Sequence, residues 1–407
     1  MAERKYGVVV YGATGFTGRL VAEYLDKTYR GDPKVCWAMA GRSLSKLEAV
    51  RAEMGIPDSV DLITADASDP ESLKAMADSA HVVITTVGPY QLYGEPLLAA
   101  CAEAGTDYVD LCGEPAWMAQ MIGKYQEQAG KSGARLVFSC GFDSVPFDMG
   151  VWFLQAHAQK TLGAMLPRVK GRVRKMKGTF SGGTAASLTA TIAAVSKDRS
   201  LLKLLTNPFS LCPGYSGPKQ PHSAEAEYDE TAQSWTAPFI MAPINTKNVH
   251  RSNFLAGHPY GADFIYDERM LTGDGPKGEK RAKAAARQEK IQNIMLAMAP
   301  TRWLLKTFML PKPGEGPDKE ARETGFYDVL FIGEAADGQV LKASVKGDRD
   351  PGYGSTSKMI SECALCLLQD IDRQQTPGGV WAPAAAMGQA VIDRLQAKAG
   401  LTFAIEG

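Results

Sequence analysis

Residues 8–18 read Val8-Val9-Val10-Tyr11-Gly12-Ala13-Thr14-Gly15-Phe16-Thr17-Gly18. A short apolar run leads into three regularly spaced glycines. Beyond them Phe16, Leu20, Val21, Tyr24 and Leu25 recur at helical spacing. The stretch is a strand, a tight turn and a helix. Gly12 lets the chain turn off the strand. Gly15 removes a side chain, so that an anion reaches backbone N–H groups, and Gly18 lets helix and strand approach closely. The positive end of the helix then faces a diphosphate. In this context G-x-x-G-x-x-G reads as a dinucleotide cradle built from Gly12, Thr14, Gly15, Phe16, Thr17 and Gly18.

Outward from this turn the pattern repeats. Val35 to Ala40 is a second apolar run, followed by a helix from Ser43 to Met54 with Ser43 as its cap. Asp61–Thr64 is a strand, and a helix starts at Pro70 behind Asp69. Residues 82–87 form the clearest strand. A helix over 95–104 stops at Gly105, and strands at 108–111 and 136–138 flank a helix over 116–129. Short apolar strands alternating with helices predict a parallel, doubly wound Rossmann-type sheet, which binds ligands at the carboxyl ends of its strands.

The second strand ends Ala40-Gly41-Arg42-Ser43, with Lys46 one turn on and no carboxylate there. A guanidinium, a hydroxyl and an ammonium suit a 2′-phosphate, so the expected coenzyme is NADP(H). Asp66, after the third strand, is placed either for the adenine edge or as a turn residue. Val87-Gly88-Pro89 would let the chain run flat past the coenzyme.

The chain has 407 residues, 45 Lys+Arg against 45 Asp+Glu, 45% hydrophobic and 22% charged residues. These are globular values, and the zero balance argues against a binder of nucleic-acid phosphates. Seven scattered cysteines suggest a reducing, cytoplasmic setting rather than a disulfide framework. No signal peptide or membrane span is expected.

After Pro146 the pattern changes to α+β. A helix over 147–160 and a half-exposed strand over 169–175 precede a hairpin that turns at Asp337-Gly338 between 329–332 and 341–345. Ser181-Gly182-Gly183-Thr184 opens a small-residue helix, suited either to an anion or to tight packing. Residues 281–310 combine Arg281, Lys283, Arg287, Lys290, Arg302 and Lys306 with Ile291, Ile294, Met295, Met298, Trp303, Leu304, Phe308 and Met309, broken at Pro300. The stretch suits a lipid surface, an acyl lid, or a core or dimer helix. Cys363 and Cys366 read as small buried side chains, and no metal site is expected.

Motif order carries a family resemblance. Residues 10–18, Ala40-Gly41-Arg42-Ser43, Val87-Gly88-Pro89-Tyr90 with Tyr93-Gly94-Glu95-Pro96, Asp110-Leu111-Cys112-Gly113-Glu114 and Gly141-Phe142-Asp143-Ser144-Val145-Pro146 resemble the saccharopine reductase family. Ser181–Thr184, Gly314-Glu315-Gly316-Pro317 and Asp350-Pro351-Gly352-Tyr353-Gly354 resemble its trans-acting enoyl reductase branch, which is also similar to saccharopine dehydrogenase-like oxidoreductases. The resemblance implies an NADPH-dependent oxidoreductase that reduces a carbon–carbon double bond of an acyl substrate, free or carrier-bound. It implies an NADP-binding domain over 1–146, an α+β substrate and dimerisation domain over 147–370, and a C-terminal helical segment over 371–407 that packs back on the first. Hydride transfer needs a proton donor, and Tyr90, Tyr93 and Tyr353 are the candidates. A saccharopine-type C–N oxidoreductase and a non-catalytic NADPH-binding protein on a lipid surface are the alternatives. A homodimer with peripheral lipid contact through 281–310 completes the expectation.

Overall fold

A computed structural model describes residues 4–178, 182–297 and 316–407. In chain order its first half comprises β1 (Tyr6–Tyr11), α1 (Phe16–Tyr29), β2 (Trp37–Gly41), α2 (Leu44–Glu53), β3 (Asp61–Thr64), α3 (Pro70–Ser79), β4 (Ala80–Thr85), α4 (Tyr90–Tyr93), α5 (Glu95–Ala104), β5 (Asp107–Val109), α6 (Pro115–Ser132), β6 (Arg135–Val137), α7 (Val145–Leu162), β7 (Arg168–Lys177) and α8 (Gly182–Lys197). Then follow α9 (Leu201–Thr206), β8 (Glu227–Asp229), β9 (Ser234–Pro238), α10 (Ala242–Leu255), β10 (Ile265–Gly273), α11 (Gly275–Ala297), α12 (Lys319–Thr324), β11 (Phe326–Glu334), β12 (Val340–Gly347), α13 (Thr356–Gln369), β13 (Gly379–Trp381), α14 (Pro383–Arg394) and β14 (Leu401–Glu406).

The first sheet has the order β13-β6-β5-β4-β1-β2-β3 and pairs in parallel throughout. Side-chain alternation sorts its two faces. Val9, Tyr11, Ala38, Val83 and Phe138 face α3, α5 and α6. Val8, Val10, Met39, Val82 and Ile84 belong to a second cluster that runs through α1, α7 and α13 to the other sheet. Local signals end the elements as the sequence predicts. Ser43 accepts from the Lys46 amide, Asp69 caps α3, and Gly105 stops α5 at φ 69°.

The second sheet has the order β14-β12-β11-β7-β10-β9-β8. It is mixed rather than antiparallel, because β7 and β10 run parallel. The β11–β12 hairpin turns at Gly338, φ 88°, as expected from Asp-Gly. Gly150 on α7 lies against β11, where an added Cβ would meet the Phe331 ring at 2.3 Å.

The segment 371–407 is not simply helical. It places α14 between two strands, and β13 extends the first sheet beside β6 while β14 extends the second beside β12. Three-residue β13 lacks the run of alternating residues that marks a strand in sequence; its pairing is set by the neighbour it meets.

Candidate functional site

The glycine turn has the shape its residues demand. Gly12 sits at φ 89°, and the Gly12 and Ala13 amides donate to Ala40 O at 3.0 and 3.1 Å. A Cβ on Gly18 would lie 2.1 Å from Gly12 O, and one on Gly12 2.7–2.8 Å from Val87 and Thr86. Gly15 caps α1 without a side-chain bond, and no acidic residue occupies the first helical turn. The first N–H groups of α1 thus open onto a cradle a side chain would fill. That fits a diphosphate.

Beside it stand the ends of β2 and β3. Arg42 and Lys46 are exposed, and among the described residues no hydrogen bond or ion pair holds either side chain. Ser43 Oγ is partly spent on its capping bond and on Ser45 Oγ at 3.1 Å. Asp66 is a turn residue. Its Oδ1 accepts from the Ser68 amide at 2.9 Å and Ser68 Oγ at 2.8 Å, and these bonds hold its pKa below the usual carboxylate range. It also lies within the electrostatic reach of Arg42.

At the far end of β4, the Val87 amide donates to Thr85 Oγ1 at 3.3 Å and Gly88 leads into α4. Tyr90 is not placed to deliver a proton. Its buried hydroxyl donates to Thr85 O at 3.1 Å and accepts from the Leu111 amide at 3.0 Å, and burial pushes its pKa well up. Tyr93 is on the rim, 48% exposed. Tyr353 lies at the other end of the site, its ring packed edge-on against Phe16 with centroids 4.7 Å apart.

The sequence reading missed Glu114. Its buried carboxylate accepts from the Tyr90 and Gln91 amides at 2.9 and 2.8 Å and from Ser187 Oγ at 2.6 Å. Gln91 Nε2 adds a bond to Thr191 Oγ1 at 3.1 Å. These bonds dock α8 of the second half onto the β4 loop. Only the motif Gly113-Glu114 hinted at this. Ser181, which opens the segment, lies outside the described residues, as do Met298, Pro300 and 301–310. Over the glycine turn sits a second contact from the chain's later half: Arg322 stacks on the Phe16 ring at 5.5 Å. Asp350 holds the turn bearing Tyr353 by accepting from the Gly352, Tyr353 and Gly354 amides. Among the described residues no cluster of His, Cys, Asp or Glu could hold a metal ion, and no helix is long and apolar enough to cross a membrane.

A family model of the saccharopine dehydrogenase NADP-binding domain matches residues 8–137. A putative trans-acting enoyl reductase of Mycobacterium tuberculosis is 42% identical over 97% of this chain and 96% of its own length. The chain belongs to the saccharopine dehydrogenase-like family, in its trans-acting enoyl reductase branch. Another member of that branch, from Mycobacterium ulcerans, is 37% identical with the same coverage. The fold of the family extends further. Saccharopine dehydrogenase (L-Glu forming) of Saccharomyces cerevisiae superposes with a TM-score of 0.52 at 12% identity, covering 99% of this chain and all of that one. Homospermidine synthase of Legionella pneumophila gives 0.55 at 11% identity over 99% and 91%. As a member of the family the protein is an NADP-dependent oxidoreductase, and NADP(H) is its coenzyme.

Proposed function

We propose that the protein reduces the carbon–carbon double bond of an enoyl thioester, with NADPH as reductant. What carries this reading is likeness to trans-acting enoyl reductases along the whole chain, second half included. The bound coenzyme supplies a hydride equivalent. The chain's own residues hold and shield it. Gly12, Thr14, Gly15, Phe16, Thr17 and Gly18 cradle the diphosphate. Arg42, with Ser43 and Lys46, binds the 2′-phosphate; Asp66 borders the adenosine. Val87, Gly88 and Pro89 line the nicotinamide side. The second half, docked through Glu114–Ser187 and Tyr353–Phe16, excludes water.

In this reading 1–146 is the coenzyme unit and 147–370 the substrate and dimerisation unit, with 371–407 stitching both sheets. The substrate is an acyl group on a small or protein carrier. A homodimer in the cytoplasm with peripheral lipid contact is part of the proposal. The described part of 281–310 supports the lipid contact: Ile291 and Ile294 on α11 are half exposed beside Arg287 and Lys290.

The test is NADPH oxidation, followed by absorbance, with a panel of enoyl thioesters and imines. Turnover with enoyl thioesters is expected. Turnover with imines alone would replace the reading by C–N oxidoreduction, and tight NADPH binding without turnover on either would leave a binding protein.

A further inference from the structure

The turn between β6 and α7 carries a carboxylate that nothing above employs. Its backbone is pinned on every side. The Ser139 amide donates to Asp110 Oδ1 at 2.8 Å, and the Cys140 amide to Asp110 O at 2.7 Å. The Phe142 amide donates to Thr356 Oγ1 at 3.0 Å, and Ser144 Oγ accepts from Asn248 Nδ2 at 2.8 Å. Between these fixed points sits Asp143, and among the described residues no hydrogen bond or ion pair reaches its side chain. Its backbone is fixed while its side chain is partly exposed, so the carboxyl meets no protein partner and is open to a ligand.

It sits at the carboxyl ends of the strands, where such sheets bind ligands. Its Oδ2 lies 3.9 Å from where a Cβ on Gly113 would stand. Gly113 adjoins Glu114, the residue that anchors Tyr90 and Gln91 behind Val87-Gly88-Pro89. The carboxyl therefore faces a side-chain-free loop next to the segment assigned to the nicotinamide. One residue on, Ser144 is bonded by Asn248, whose buried Oδ1 has no partner among the described residues.

We propose that Asp143 is the acid that protonates the substrate α-carbon, an inference that rests on the enoyl reading above. The β-carbon takes the hydride that NADPH supplies, and the π pair of the double bond moves toward the thioester carbonyl. The α-carbon then takes the proton. The Asp143 O–H bond breaks as the C–H bond forms, and solvent returns a proton to the carboxylate. Desolvation by its surroundings raises the Asp143 pKa to about 7, which suits a proton donor working near neutral pH. The neighbouring carboxyls are committed elsewhere: Asp110 to Tyr108, Cys112 and Ser139, Glu114 to α4 and α8, and Asp148 to Ser252 and Ala384. On α10, Lys247 is buried with no hydrogen bond or ion pair among the described residues, and burial lowers its pKa to about 8. Burial holds the Cys112 thiol neutral. The tyrosines are worse placed. Tyr90 is spent, Tyr353 lies at the diphosphate turn, and Tyr93 is open to water.

The experiment compares wild type with Asp143→Asn and Asp143→Ala. NADPH affinity, measured by coenzyme fluorescence, is expected to be unchanged, and turnover on the enoyl thioester that the wild type accepts is expected to fall by about 10²–10⁴. Independently of turnover, carboxyl-¹³C aspartate labelling of the coenzyme-free protein is expected to show a resonance titrating near pH 7 that D143N lacks. Tyr93→Phe is expected to keep the wild-type rate. An active wild type with D143N less than tenfold slower, a loss of NADPH binding in both variants, or no such resonance overturns the assignment alone. A wild type inert to every enoyl thioester overturns the enoyl reading and Asp143 with it.

Discussion

Asp148, at the start of α7, shows how one buried carboxyl sets a pH dependence. Its Oδ2 accepts from Ser252 Oγ at 2.7 Å and from the Ala384 amide at 2.8 Å, while burial pushes its pKa up to about 7. An unfolded Asp titrates near 3.9, so the folded state binds this proton more tightly. The stabilisation is fully present below about pH 4 and is lost as pH rises through about 7. Asparagine keeps one oxygen to accept both donors and never ionises. The difference in melting temperature between Asp148→Asn and wild type is therefore expected to shift in the variant's favour from pH 5 to pH 8. A difference that does not move with pH, or moves the other way, contradicts this. At this scale sequence reading has least grip. A tyrosine beside a coenzyme loop looks reactive until Tyr90 is seen spending its hydroxyl on Thr85 and Leu111. An aspartate between Phe142 and Ser144 looks ordinary until its lack of partners is seen.

Elements were legible where their signals are local. Ser43, Asp69 and Gly105 mark helix ends through their own chemistry, and β1, β2 and β4 are continuous apolar runs, as strands covered on both faces must be. Elements defined by distant partners were not. Helix α10 holds Asn245, Lys247, Asn248, Arg251 and Ser252, polar residues with no apolar stripe to announce a core helix, yet all five are buried. Four of them act as polar pins: Asn245 to Glu268, Asn248 to Ser144, Ser252 to Asp148, and Arg251 to the Leu211 and Val380 carbonyls. Glu362 on α13 joins three helices in the same way. It accepts from the Tyr24 and Tyr29 hydroxyls of α1 at 2.6 and 2.7 Å and from Arg394 of α14 at 3.1 Å. Glu362→Ala leaves these donors facing a void and is expected to cost about 3 kcal/mol, read by urea unfolding. A loss below about 1 kcal/mol would show that the pins are dispensable.

Across the whole molecule, the glycine cradle belongs to the first sheet, but its surroundings come from the entire chain. Phe16, the first residue of α1, is touched by Tyr353 and by Arg322, and α4 is tied to α8. The hydrophobic cluster beneath runs unbroken from β1 to β11, and β13 and β14 return the chain to both sheets. Such continuity explains why sequence likeness to the enoyl reductase branch spans the chain rather than stopping at residue 137. The central claim is that this site holds a dinucleotide and that Arg42 chooses the phosphorylated form. Fluorescence titration with NADPH and NADH, on wild type and Arg42→Ala, tests it most directly. The account predicts that wild type prefers NADPH and that Arg42→Ala weakens NADPH binding by about tenfold to a hundredfold while leaving NADH binding unchanged. Equal affinity of the wild type for both coenzymes, or an Arg42→Ala protein with undiminished preference for NADPH, would contradict it.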